Sequence, residues 1–199
     1  MSEQCETTRA GDPGLGEQPG SMLARLVEDP ARFLVRWPAG PAVHRRDTAD
    51  LAELLDRDGA RRMLTDPAHR PKNLGMVHQG ASTLDVPPSV DHPTHTLVLN
   101  GPHLTWPPLR RAAQLLSAEL GHRVTANAYL TPPGSTGFGP HWDSHHVMLV
   151  QVEGAKTWQL HPPVFVDPLD RHIWTEIGFT PEQLAQVHRD AESVTLTAG

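Results

Sequence analysis

The stretch GFGPHWDSHHVMLVQVEGAKTWQL, residues 137–160, decides how the rest of the chain is read. His141 and Asp143 are two residues apart, so on a strand they project from one face, about 7 Å apart along the backbone. The apolar run from Val147 to Val150 supports a strand over His141–Val152, and Glu153-Gly154 then offers a two-residue turn. Lys156–Leu160 reads as the returning strand. The hairpin would set the Lys156 ammonium beside the strand that carries His141 and Asp143.

Outward from this hairpin, Thr96–Leu99 is a short β-branched and apolar run closed by Asn100-Gly101. Pro107 and Pro108 suit the first turn of a helix. Leu109, Ala112, Ala113, Leu116 and Leu120 mark its apolar face, and Gly121 its end. Val124–Leu130 reads as a strand, Thr131–Pro140 as turn-rich, Pro181–Arg189 as a helix and Val194–Leu196 as a last strand. Upstream, Ser21 caps a short helix stopped near Pro30. Thr48 caps another in which Leu51, Leu54 and Leu55 repeat before Gly59. The segment from Thr65 to Pro93 reads as irregular, and residues 1–20, rich in Gly, Pro and charge with almost nothing to bury, as a disordered tail. Helices come early and strands cluster late, which fits an α+β layout or a helix-decorated β-barrel. Alternating βαβ units, a Gly-rich phosphate loop and a Gly-x-Ser-x-Gly elbow are absent from the sequence.

Composition sets outer bounds. The chain has 199 residues, 38% hydrophobic, with 20 Pro, one Cys and a net charge of −6. Cys5 alone excludes an intrachain disulfide framework and a Cys-based zinc site. Net acidity argues against a broad nucleic-acid surface, so direct nucleic-acid binding is not expected. No apolar run reaches the ~20 residues of a membrane span, and no secretory signal is visible, so a cytoplasmic protein without membrane contact is expected.

In a chain with 13 His, a His-x-Asp pair arises readily by chance. Its chemical reading is two corners of a facial metal site, the arrangement that non-haem Fe(II) oxygenases complete with a second His. The bland alternative for Lys156 is a solvated strand-edge residue. Asn127 and Tyr129 share one face of the preceding strand, where a surface amide and a half-buried aromatic are the ordinary readings.

Together, though, these residues carry a resemblance. The runs Thr96-Leu-Val-Leu-Asn-Gly, Trp106-Pro-Pro-Leu, Ala126-Asn-Ala-Tyr-Leu-Thr-Pro-Pro-Gly-Ser135, Gly137-Phe-Gly-Pro-His-Trp-Asp and Val150-Gln-Val-Glu-Gly-Ala-Lys-Thr-Trp-Gln-Leu160 are similar to the Jumonji-C (JmjC), cupin-type 2-oxoglutarate oxygenases, in particular bacterial relatives of the ribosomal oxygenases. The Asn-x-Tyr strand, the His-x-Asp and a Lys fifteen residues after the His occur in order. The resemblance implies a mainly β (α+β) fold, a double-stranded β-helix of jelly-roll type with N-terminal helical decoration. Residues 21–94 would form the helical and irregular part and 95–199 the β-helix core. It implies that His141 and Asp143 bind Fe(II), that Lys156 pairs with the far carboxylate of 2-oxoglutarate, that Asn127 hydrogen-bonds this cosubstrate, and that Tyr129 lines the active site as a catalytic residue. The implied partner is a protein or peptide substrate, a ribosomal protein among the options, with the oligomeric state open.

One part of the pattern is not met. The family carries its second His after a segment resembling Gly-Asp-x-Leu-Tyr-x-Pro-x-Gly-x-x-His, whereas this chain reads Val194-Thr-Leu-Thr-Ala-Gly199. The expectation is therefore a β-helix incomplete at its C-terminus and an iron site short of one ligand. His145 lies another ~7 Å along a regular strand, out of easy reach of the same ion. His188 sits in a helical pattern and reads as surface, as do His161 and His172. Two function classes follow: an oxygenase that hydroxylates a protein or peptide side chain, or a non-catalytic cupin-like remnant or binding module. An isomerase-type cupin would need more His in a different spacing.

Overall fold

The computed structural model describes residues 20–37, 40–46, 51–165 and 167–198. Of the expected tail, 1–20, only Gly20 falls among them; Cys5 and Thr48 lie outside the described residues.

Helix α1 (Met22–Leu26) begins where the Ser21 side chain accepts from the Ala24 N–H at 3.0 Å. Its first two N–H groups donate to the Glu119 carboxylate at 2.9 and 2.6 Å, a negative charge at the positive end of the helix. Pro30 does not stop this helix. The chain has already left it at Val27, and Pro30 opens α2 (Pro30–Arg36), where Asp29 caps and the missing proline N–H costs nothing. Leu51, Leu54 and Leu55 likewise precede a helix rather than lie in one. They are buried and lead into α3 (Arg57–Thr65), which Asp56 starts by accepting from Gly59 N–H at 2.6 Å. Gly59 thus sits in a first turn and ends nothing. A Cβ there would lie 2.9 Å from the Trp106 ring, whose indole N–H donates to the Leu54 carbonyl at 3.0 Å.

The segment expected to be irregular holds two strands, β1 (Asn73–His78) and β2 (Ala81–Thr83). Gln79 and Gly80 join them with φ of 48° and 86°, the two left-handed residues that a tight hairpin with right-twisted strands requires. β3 (Thr96–Asn100), α4 (Pro107–Leu120, ended by left-handed Gly121) and β4 (Asn127–Leu130) follow as expected, although β4 is shorter than Val124–Leu130. The missing positions have other partners: Val124 N–H donates to Ser117 Oγ at 2.9 Å and Ala126 N–H to His103 Nδ1 at 3.0 Å. The four strands form an antiparallel sheet in the order β2-β1-β3-β4. β3 is central, and all of Thr96–Leu99 is buried. Leu97 and Leu99 pack with Met63, Met76 and Trp106, and a second cluster joins Leu23, Val27 and Leu54 to Ala112 and Leu116 of α4.

The expected hairpin is not formed. Residues 141–152 are in no strand ladder; the chain bends at Ser144 and His145, and Val147, Leu149 and Val150 are exposed. β5 (Ala155–Leu160) pairs instead with β6 (Glu192–Thr197), Lys156 opposite Leu196 and Trp158 opposite Val194. The polar Ser144-His-His146 interrupts the run, and β6 takes the ladder groups of β5. Gly154, at φ 69°, still turns the chain, and its carbonyl accepts from Ala198 N–H. Between β5 and β6 lie α5 (Trp174–Ile177) and α6 (Pro181–Arg189), the latter started by a reciprocal Thr180–Gln183 capping box. Antiparallel sheets with helices apart from them make the α+β arrangement expected. Among the described residues, no helix is long and apolar enough to cross a membrane.

Candidate functional site

Lys156 stands on the inward-alternating face of β5, together with Trp158 and Leu160. Its Nζ donates to Thr131 Oγ1 at 2.8 Å and lies 4.8 Å from the centroid of the Trp158 ring. Thr131 Oγ1 also accepts from the fully buried Thr96 hydroxyl at 3.0 Å. Gly137 leaves the space open, since a Cβ there would come 3.6 Å from Nζ. Burial holds the Lys156 ammonium below the ordinary lysine range, and among the described residues the ion pairs all lie elsewhere. A half-buried cation with a hydroxyl and a π face around it, and no carboxylate, is arranged to receive an anion.

His141 lies off any strand, and its Nδ1 is 2.8 Å from the Gly139 carbonyl. A carbonyl only accepts, so Nδ1 carries a proton, and in the neutral ring this leaves the lone pair on Nε2, as in a metal-ligating imidazole. The ring is flanked by Phe138 at 5.9 Å and Trp174 at 5.5 Å. Trp174 also lines a cavity of about 120 Å³ with Trp142, Asp143, His145, Asp170 and His172. His141 and Asp143 thus each neighbour Trp174, one through its ring and the other across the cavity, and not by strand alternation. Tyr129 reaches the His141 ring through Phe138, the Tyr129 and Phe138 ring centroids 6.2 Å apart. Burial first, and then the charge of Asp143, push its phenol above the ordinary tyrosine range, while Asn127 opposes them. The phenol stays protonated at neutral pH. Asn127 shares the β4 face of Tyr129, but its Oδ1 accepts from Gly101 N–H at 3.1 Å, which commits half of the amide to closing the β3 turn.

The other histidines separate by their hydrogen bonds. The bend at Ser144–His145 brings His145 to the cavity that Asp143 lines, so the distance expected along a regular strand does not apply. His172 Nδ1 accepts from Leu169 N–H at 3.1 Å, which places the neutral ring's proton on Nε2 and makes that nitrogen a poor ligand. His161, expected at the surface, is half-buried, with Nδ1 2.7 Å from the Val187 carbonyl at the end of α6. His188 is exposed. His78 stacks on His95 at 4.4 Å and His92 lies edge-on to His95 at 4.2 Å, a packed cluster by the start of β3.

Two donor types that a non-haem iron takes, an oriented imidazole and a carboxylate, both neighbour Trp174. Among the described residues, no group of three or more His, Cys, Asp or Glu is placed to hold a metal ion. Thr131, Thr96, Phe138 and Trp174 escaped the sequence reading. Thr131 stands within the quoted run Ala126–Ser135, whereas nothing local singles out Trp174.

Residues 102–191, just under half of the chain, match the JmjC domain, a cupin-like family whose fold is the jelly roll. Among known proteins the chain is similar to the bifunctional lysine-specific demethylase and histidyl-hydroxylase NO66 of Drosophila willistoni, 40% identical over 90 residues (45% of this chain, 11% of that protein). The protein of the same name from Drosophila mojavensis is 41% identical over 96 residues (47% and 10%), and that from Caenorhabditis briggsae 50% over 50 residues (25% and 6%). The chain spans about a tenth or less of the length of these relatives.

Proposed function

We propose that the chain is the site-bearing part of an Fe(II)- and 2-oxoglutarate-dependent oxygenase that hydroxylates a protein or peptide side chain. In this reading His141, through Nε2, and Asp143 hold the iron. Lys156 holds the distal carboxylate of 2-oxoglutarate, Asn127 contacts the cosubstrate with its amide N–H₂, and Tyr129 lines the reacting corner. Residues 95–199 are taken as the core of the module and 21–94 as its N-terminal part. The family match and the relatives' hydroxylase and demethylase names support the reaction class. One observation carries the assignment to this chain: the half-buried Lys156 ammonium, hydrogen-bonded to Thr131 and without a carboxylate partner among the described residues.

The chemistry of each side chain follows from its surroundings. Lys156 offers a charge and Thr131 a hydroxyl to one carboxylate, and the anion offsets the desolvation that depresses the lysine. The Gly139 carbonyl orients His141, and Phe138 and Trp174 flank its exposed ring. The protonated Tyr129 phenol is available to donate a hydrogen bond toward Asp143 or a bound substrate. Iron with 2-oxoglutarate and O₂ supplies the oxidising power, with succinate and CO₂ as coproducts. Every other role is binding and orientation by the protein.

The test has two arms. Succinate should form from 2-oxoglutarate with Fe(II) and O₂. Independently, Co(II) should produce a visible absorption band that His141→Ala and Asp143→Ala each abolish. Co(II) binding indifferent to both substitutions would overturn the assignment of the metal site.

A second reading, a non-catalytic cupin-like binding module, rests on the lack of a three-ligand cluster among the described residues. It predicts that His141→Ala leaves partner capture unchanged and that no succinate forms.

A further inference from the structure

We propose that a second cavity, beside α4 and separate from the candidate iron corner, binds a small organic oxyanion: a carboxylate or phosphate group carried on an apolar body. The cavity has a volume of about 430 Å³, within the range of small-ligand sites. Leu104 and Val124 contribute apolar surface, while His103, Arg110, Gln114 and Arg123 contribute nitrogen donors. No acidic residue lines it, in a chain whose net charge is −6.

The walls are fixed by the fold. Gly121, left-handed at φ 67°, ends α4 and turns the chain back, so that Arg123 and Val124 run beside the helix they have just left. Ser117 holds this return, its hydroxyl accepting from Val124 N–H at 2.9 Å and donating to the Ala113 carbonyl at 2.6 Å. The His103 ring is held by the Ala126 backbone, its Nδ1 3.0 Å from the N–H and 3.2 Å from the carbonyl. Arg110 donates one N–H to the Leu104 carbonyl, which anchors its guanidinium at the rim with the remaining donors free of that bond. Neither Arg110 nor Arg123 is in an ion pair among the described residues.

Two guanidinium forks match the planar or tetrahedral oxygens of carboxylate and phosphate. The apolar surface between them favours a ligand with a hydrophobic body over a bare ion. None of the lining residues is His141, Asp143 or Lys156, so this cavity is independent of the oxygenase site.

Phenyl phosphate and inorganic phosphate, titrated into the ¹⁵N-labelled chain and followed by amide NMR shifts, test it. Phenyl phosphate should move the amides of Leu104, Arg123 and Val124, and inorganic phosphate should bind several-fold more weakly. Arg110→Gln and Arg123→Gln should each weaken phenyl phosphate by about threefold or more, and the pair by about tenfold or more. Gln114→Glu, which places a negative charge one helical turn from Arg110, should weaken it as well. Lys156→Met should leave the binding unchanged. No shifts at these amides, shifts that survive the double substitution, equal binding of the two probes, or loss of binding in Lys156→Met would each overturn the proposal.

Discussion

Replacing Lys156 with Met separates ligand recognition from folding. In the folded protein the substitution removes a hydrogen bond to Thr131 at 2.8 Å and a cation over Trp158 at 4.8 Å. The first contributes about 1.5–3 kcal/mol and the second about 0.5–1 kcal/mol at a partly exposed position. Against these stands the cost of holding a half-buried ammonium, which shows in its lowered pKa. That cost is present in full below the folded-state pKa and is relieved as pH rises through it, so at neutral pH the wild type carries all of it. Methionine fills a similar volume without it. The two sides offset, and unfolding in urea at pH 7 should shift by less than about 1 kcal/mol. Binding behaves differently. A dicarboxylate that loses its charged, hydrogen-bonded partner loses about 2 kcal/mol or more, roughly 30-fold in affinity. Calorimetric titration of 2-oxoglutarate into both proteins, with Mn(II) present, reads the difference. Equal affinities, or a variant that loses several kcal/mol of stability instead, would refute the reasoning and make Lys156 a structural residue.

Three further outcomes are expected. Gly59→Ala should destabilise by about 1–3 kcal/mol in urea despite alanine's better helix propensity, because its Cβ meets the Trp106 ring at 2.9 Å and strains the indole bond to Leu54. Thr180→Ala should cost about 1 kcal/mol through loss of the α6 capping box, and Thr180→Ser should restore most of it. Burial, and then the His92 and His78 rings, hold the His95 imidazole below the ordinary histidine range, so its neutral form is favoured by folding. Stability should therefore decline as pH falls from about 6.5 toward the folded-state value, and His95→Asn should flatten that slope in urea midpoints measured across the range.

What could be read without coordinates depended on whether local pattern and long-range pairing agreed. α4 and α6 have a proline start, an apolar stripe and an end signal, and they fall where expected. β3 is a four-residue buried run whose burial does not depend on which neighbours pair with it. β1 was invisible because Asn73-Leu-Gly-Met-Val-His78 neither alternates nor runs apolar throughout; its strand character comes from pairing with β3. Gln79-Gly80, the turn that makes β2, was the overlooked clue. The 141–160 hairpin failed for the opposite reason, a plausible local pattern overridden by the distant β6. At the site, His141, Asp143 and Lys156 stood out through their order in the chain. Their surroundings did not: Trp174 comes from 31 positions beyond Asp143, and Thr131 matters only because β4 ends where β5 passes.

The Thr131 hydroxyl has a consequence for the mechanics of the molecule. It accepts one hydrogen bond from the first sheet, at Thr96, and another from the second sheet, at Lys156. That single oxygen is a stitch in the seam between two sheets whose ladders are otherwise separate. Anything that draws the ammonium away tugs on the buried middle strand, so a ligand's arrival would register as altered amide exchange in β3, far along the chain from the lysine it touches.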